Sequence, residues 1–205
     1  MNSLILKNVT KTFDEKTLFD GLSYTFPARG LYLILGESGG GKTTLLRIIA
    51  GLDTNHTGTV EGGGLSAVSM AFQEHRLLPA RSALRNVAEV LLAENLSRTD
   101  AEAQARLALL SLGYPEADFG LRPAALSGGM RQRVSLARAF AAHRPILLLD
   151  EPEKELDEAL RDRLYTRICE EAAQRLVLVV THTPERLLPY ADGTLTVGGK
   201  IVKST

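Results

Sequence analysis

Leu4 to Val9 and Leu18 to Phe26 alternate apolar residues with polar or small ones, the pattern of half-buried strands, and Asp14-Glu15-Lys16 supplies a polar turn between them. The chain is therefore expected to open with an antiparallel edge sheet. Leu31 to Leu35 is a nearly continuous apolar run ending in Gly36, as expected of a strand covered by helices on both faces. A helix follows from Lys42 to Ala50, with Gly51 placed to cap it. Thr57 to Glu61 and Ala67 to Phe72 read as further strands, joined by a flexible Gly62-Gly63-Gly64.

From Glu74 to about Ala125 the period changes to that of helices. Leu84, Val87, Ala88 and Leu91 fall on one face, and Ala103, Leu107 and Leu110 form the expected face of a second helix. Pro115 and Pro123 punctuate the end of this stretch, and a strong helix runs from Gly128 to about His143. Pro145 opens the buried strand Ile146 to Asp150, at a position that needs no backbone donor. A helix from Leu156 to about Gln174, the strand Leu176 to Val180, a short helix near Pro184 to Tyr190 and a hairpin from Thr194 to Val202 complete the pattern.

With 205 residues, 44% of them hydrophobic, the chain is long enough to bury a core as one α/β domain with a small inserted lobe. Its 24 basic and 24 acidic residues cancel, which removes the electrostatic footprint of a nucleic-acid binder. One cysteine, Cys169, cannot form an internal disulfide and reads as a buried small side chain, pointing to a reducing compartment. No apolar run approaches the ~20 residues of a membrane-spanning helix, and no secretory signal is visible at the start. His56, His75 and His143 read as surface or loop residues.

Gly36-Glu37-Ser38-Gly39-Gly40-Gly41-Lys42-Thr43 has the G-x-x-x-x-G-K-[ST] form of a phosphate loop, placed between a buried strand and a helix. Its glycines, continuing to Thr44, let backbone N–H groups wrap phosphates. The helix N-terminus adds a positive field, Lys42 reaches the terminal phosphates, and the Thr43 hydroxyl is a ligand for Mg²⁺. Asp150 and Glu151 end the strand Ile146 to Asp150, at the edge where open α/β sheets hold ligands. Asp150 is the expected Mg²⁺ partner, and Glu151 the carboxylate that orients and deprotonates an attacking water. A second Gly-rich helix start lies at Ser127-Gly128-Gly129, where Ser127 caps the helix and two bare Cα atoms leave its tip open to phosphate. Two phosphate-gripping sites in one chain predict ATP clamped between two subunits.

Leu126-Ser127-Gly128-Gly129-Met130-Arg131-Gln132-Arg133, together with the phosphate loop and the Asp150-Glu151 pair, resembles the ATP-binding cassette family over the whole chain. The resemblance implies a P-loop NTPase core with a mixed, mainly parallel sheet between helices, an antiparallel β edge and an inserted helical lobe. The core spans 1–73 and 126–205 and the lobe 74–125. It also implies that Phe13 stacks on adenine, that Gln73 touches Mg²⁺ and the attacking water, and that His182 contacts the γ-phosphate. The implied catalytic set is Glu151, His182, Gln73 and Lys42, with Thr43, Gln73 and Asp150 toward Mg²⁺.

The implied function is ATP hydrolysis in a head-to-tail dimer that drives an importer. Partners are transmembrane permease subunits, a second copy or a sister cassette and, indirectly, an extracytoplasmic solute-binding protein. The implied location is the inner face of the plasma membrane. Gln73-Glu74-His75-Arg76-Leu77-Leu78-Pro79 resembles cassettes serving nitrate, sulfonate and taurine. The alternatives are a soluble, non-transport cassette ATPase and a non-hydrolysing ATP sensor. The chain departs from the family at Lys154-Glu155, where Ser-Ala is usual in the loop that crosses the dimer. The added charges are expected to loosen the closed dimer or to re-pair across it, and to slow turnover.

Overall fold

The alternating start of the chain becomes β1 (Leu4–Phe13), which pairs antiparallel with β2 (Lys16–Phe26) on one side and with β4 (Thr57–Glu61) on the other. The structure is a computed structural model and describes residues 3–13 and 16–198. β1 runs four residues past the expected Val9, and its inward positions are Leu4, Leu6, Val9 and, unexpectedly, Lys11. Alternation survives a break in register between Leu6 and Val9, where Asn8 takes φ 50°. Residues 14 and 15 of the expected turn lie outside the described residues.

The second sheet has the order β5-β6-β7-β3-β8, from β3 (Gly30–Leu35), β5 (Val68–Ala71), β6 (Ile146–Asp150), β7 (Leu176–Val180) and β8 (Gly193–Thr196). β3 pairs in parallel with β7 and β8, and β6 with β7. β6 and β7 are buried at every position, which explains why they read as unbroken apolar runs. Residues of one parity on these strands, including Tyr32, Ile34, Leu148, Leu178 and Val180, share a cluster with Leu45, Leu46, Ile48 and Ile49 of α1 (Lys42–Ile49) and with inward residues of β1 and β2. The phosphate-loop helix is thereby packed into the core along its apolar stripe. Gly51 takes φ 70° past the end of α1, as a C-terminal cap should.

Two compact units result. One comprises Met1–Met70, Arg144–Asp150 and Ile168–Thr205; the other comprises Ala71–His143 and Glu151–Arg167. The second unit is built on three mutually packed helices, α2 (Ala83–Leu92), α3 (Arg98–Ser111) and α4 (Gly128–Ala141), so α4 joins the two helices of the expected 74–125 lobe. The helix α5 (Glu158–Ala172) follows the loop after β6. Asn86 is fully buried and pins the entry to α2: its Oδ1 accepts from Leu78 N–H at 2.7 Å, and its Nδ2 donates to the carbonyls of Leu78, Arg81 and Ser82 at 3.1–3.2 Å.

Several expectations are corrected. α3 buries Ala101, Ala105 and Leu109, while Leu107 and Leu110 stay 66% and 42% exposed. Both stripes have helical spacing, and the small side chains of Ala101 and Ala105 allow the closer approach. The triglycine turn is anchored: Gly64 N–H donates to Ile49 O at 2.8 Å, and a Cβ on Gly63 would lie 2.5 Å from the same oxygen. The short helix near Pro184 is two 3-10 turns, Pro184–Arg186 and Leu188–Tyr190. Among the described residues β8 pairs with β3 in parallel and not in a hairpin; the second arm expected to Val202 lies outside them. Cys169 is half-buried, with its thiol pushed up by burial and by Glu170.

Candidate nucleotide site

Ile34, Val180 and Asp150 are register neighbours across β3, β7 and β6, so the chain leaves these three strands at one edge of the parallel sheet. From β3 it enters the phosphate loop. Gly36 takes φ 144°, and a Cβ there would sit 2.0 Å from the carbonyl oxygen of Val197, so no other residue fits without moving the backbone. Gly41 is left-handed (φ 95°) and begins α1 without a side-chain cap. No acidic side chain occupies the first turn, so the N–H groups that open α1 keep their positive field. Lys42 is 7% exposed, and its ammonium donates to Gly36 O at 2.8 Å and Glu37 O at 2.9 Å, which centres the charge inside the loop.

Beside the loop lies a cleft of about 390 Å³ lined by Lys16 to Leu18, by loop residues Gly36 to Ser38 and Gly40, and by Thr196 to Gly198. Phe13 ends β1 at half exposure, and its register partner Lys16 donates to Gly39 O at 3.2 Å. The hairpin of β1 and β2 therefore carries a second ammonium to the rim of the phosphate loop. Lys16 gave no signal in the sequence, because only strand register reveals its neighbour. Thr43 and Thr44 are half-buried in the first turn of α1. Asp150 ends β6 at 1% exposure. After β7, Thr181 is buried and its Oγ1 accepts from Thr183 N–H at 3.0 Å, a turn that carries the exposed His182 between them.

In the second unit Gln73 and Glu151, 78 residues apart, meet: Gln73 Nε2 donates to Glu151 Oε2 at 3.1 Å. Glu151 takes φ 52°, an uncommon conformation for a non-glycine residue, and is half-buried. Ser127 caps α4, its Oγ accepting from Met130 N–H at 3.3 Å. The two glycines after it make room for the loop beyond Glu151: a Cβ on Gly128 would fall 2.3 Å from Glu155 Oε2, and one on Gly129 2.7 Å from Glu155 O. The carboxylate of Glu155 therefore stands against the tip of the capped helix.

The rest of α4 reaches two segments. Gln132 is buried and donates to Pro152 O at 2.8 Å. Arg138, whose pKa burial lowers, donates to Arg76 O at 2.9 Å and His75 O at 3.1 Å. His75 is not a plain loop residue: it is half-buried, with Nε2 3.6 Å from Glu155 Oε2. Burial lowers its pKa; Arg131 and Lys154 push the same way and Glu155 opposes them. His56 is half-buried beside Thr57 O, and His143 is exposed with Nδ1 3.7 Å from Glu94.

The geometry has clear relatives. The profile of the ABC transporter family matches residues 19–154. An Fe(3+) ions import ATP-binding protein of Agrobacterium fabrum is 39% identical over 98% of this chain and 60% of its own length. An aliphatic sulfonates import ATP-binding protein of Corynebacterium glutamicum is 37% identical over 93% of this chain and 78% of its own length. The chain thus spans about 60% of the iron-import relative. Two solved structures of a dimeric ATP-binding cassette, one in a post-hydrolysis state bound to ADP and Pi, superpose with TM-scores of 0.86 and 0.88 at 25% and 26% identity. Both alignments cover 98% of this chain and 97% of the other.

Proposed function

We propose, on the premise that this chain belongs to the ABC transporter family, that it binds and hydrolyses ATP as the nucleotide-binding subunit of an importer. The observation that carries this reading is the pairing of two phosphate-binding helix tips in one chain: the glycine cradle of α1 with Lys42 inside it, and the Ser127-capped tip of α4. Each suits one end of a triphosphate, and two copies arranged head to tail would supply both ends to each of two nucleotides.

In this mechanism the Gly36 to Thr44 loop and Lys42 hold the phosphates, Phe13 stacks on the base, and Glu151 takes a proton from the attacking water. Gln73, already bonded to Glu151, keeps that carboxylate oriented, and His182 reaches the γ-phosphate. The Thr43 hydroxyl, the Asp150 carboxylate and the Gln73 amide are oxygen donors that fit Mg²⁺. Among the described residues no group of three or more His, Cys, Asp or Glu forms a metal site. When bound, Mg²⁺ would offset charge on the phosphates. Loss of the γ-phosphate removes the link between copies, which reopens the dimer and couples the chemistry to motion.

The membrane passage in this reading belongs to permease subunits, with the cassette on their inner face; among the described residues no helix is long and apolar enough to cross a membrane. A solute-binding protein would deliver the solute from outside. The sulfonate importer shares more of its length with this chain than the iron importer does, and small organic anions such as sulfonates are the proposed solute class. Glu151→Gln tests the core of the reading. It should retain ATP, lose phosphate release and elute as a dimer with ATP in size-exclusion chromatography. A variant that stays monomeric with bound ATP refutes the two-copy clamp, and one that still turns over refutes the role of Glu151.

A further inference from the structure

Lys11 is a lysine in a core position. Past the register break of β1 it shares the inward parity of Val9, as Leu4 and Leu6 face inward before the break, and only 2% of it is exposed. A buried ammonium needs partners on all sides. Its Nζ donates to Asp53 Oδ1 at 2.8 Å and to Asn55 O at 2.6 Å, and it lies 4.5 Å from the centroid of the Phe13 ring. Asp53 is fixed in turn. Its Oδ1 accepts from Asn55 N–H at 3.1 Å, and its own N–H donates to Arg47 O at 3.2 Å, at the C-terminal end of α1. An unbroken set of contacts thus runs from the end of the phosphate-loop helix through Asp53 and Lys11 to the ring of Phe13.

We propose that Lys11 is a positioning residue for nucleobase binding: its ammonium, anchored by Asp53 and Asn55, holds the Phe13 ring by one face and leaves the other for adenine. The inference rests on the base-stacking reading of Phe13. The physical argument has two parts. Phe13 ends its strand at half exposure and has little packing of its own to fix χ1 and χ2, so a buried cation under the ring supplies the missing restraint. A cation on one face also draws ring electron density toward itself, which makes the opposite face a better partner for an electron-rich purine. Burial alone would raise the Asp53 carboxyl, but the hydrogen bonds from Lys11 and Asn55 and the charges of Lys11 and His56 hold it below the usual range, so the anchor stays ionised wherever the protein is folded at neutral pH.

The test separates base from phosphate. Dissociation constants for ATP and for inorganic tripolyphosphate are measured by calorimetry on the whole chain, for wild type, Lys11→Met, Lys11→Arg, Asp53→Asn, Phe13→Ala and the Lys11→Met/Phe13→Ala double variant, with thermal melts to establish folding. Lys11→Met should weaken ATP about three- to tenfold and leave tripolyphosphate within about twofold. Lys11→Arg, which keeps a cation under the ring, should recover most of the loss, and Lys11→Met should cost nothing further once Phe13 is gone. Should Lys11→Met fail to fold, Asp53→Asn carries the same comparison. If Lys11→Met, or Asp53→Asn in its place, weakens both probes equally or neither, the positioning role is refuted. If Phe13→Ala leaves the ratio of the two constants unchanged, it is the base-stacking reading of Phe13 that fails.

Discussion

Glu155→Gln should tighten the ATP-dependent dimer. The Glu155 carboxylate lies against Gly128, 2.3 Å from where a Cβ would be, at the helix tip proposed to receive a partner's γ-phosphate. An oxygen accepting from an N–H of that tip sits about 2.9 Å from the nitrogen, and so about 5 Å from the carboxylate. With the side chain 42% exposed a water-like dielectric applies, and two unit charges at this distance repel by about 0.8 kcal/mol. A symmetric dimer contains the contact twice, so the sum of about 1.6 kcal/mol predicts roughly a tenfold gain in the dimerisation constant. Glutamine keeps the shape, which separates charge from the strain of the left-handed backbone at Glu155 (φ 62°). The assay is sedimentation of Glu151→Gln against Glu151→Gln/Glu155→Gln with ATP, at low salt and again at about 1 M, where the screening length falls to about 3 Å. An equal dimerisation constant at low salt, or a gain that persists undiminished at high salt, refutes the electrostatic argument.

Two more outcomes rest on buried groups. The pKa of His75 is lower in the folded chain than its ordinary 6.5, so the unfolded chain takes up the proton first. The stability tied to neutral His75 is present above pH 6.5 and lost as the pH falls through the folded value; His75→Gln should flatten the melting temperature across that window, and an unchanged slope refutes it. Asn86→Ala removes the buried amide and strands Leu78 N–H and Arg81 O, while the carbonyls of Leu78 and Ser82 keep their backbone partners Arg81 N–H and Asn86 N–H, at a cost of about 2–4 kcal/mol in urea unfolding. A loss under about 1 kcal/mol would mean that water replaces the amide.

Strands buried on both faces were legible because nothing polar interrupts them, and β6 and β7 fall where the pattern puts them. The phosphate loop and the Ser127 helix start were legible for the same local reason, since glycine spacing at a strand-to-helix turn is a short-range signal. Contacts set by register or tertiary packing were not. Lys11 looks like a surface residue until the strand is extended past Val9, and Lys16 near Gly39 depends on pairing across β1 and β2. The choice between the two apolar stripes of α3 is made by α2 and α4, which the periodicity of α3 cannot report. Glu155 stands out in the sequence as a departure, but its place against Gly128 required coordinates.

One helix joins three duties. Ser127 sits at the tip of α4, Gln132 grips the carbonyl of Pro152 one turn on, and Arg138 holds the carbonyls of His75 and Arg76 two turns further. Because an α-helix is stiff along its axis, any tilt imposed at the tip must also shift the peptide just past Gln73. α4 thus acts as a beam: whatever tugs the Ser127 end is felt, with no diffusing messenger, about 16 Å away at Arg138.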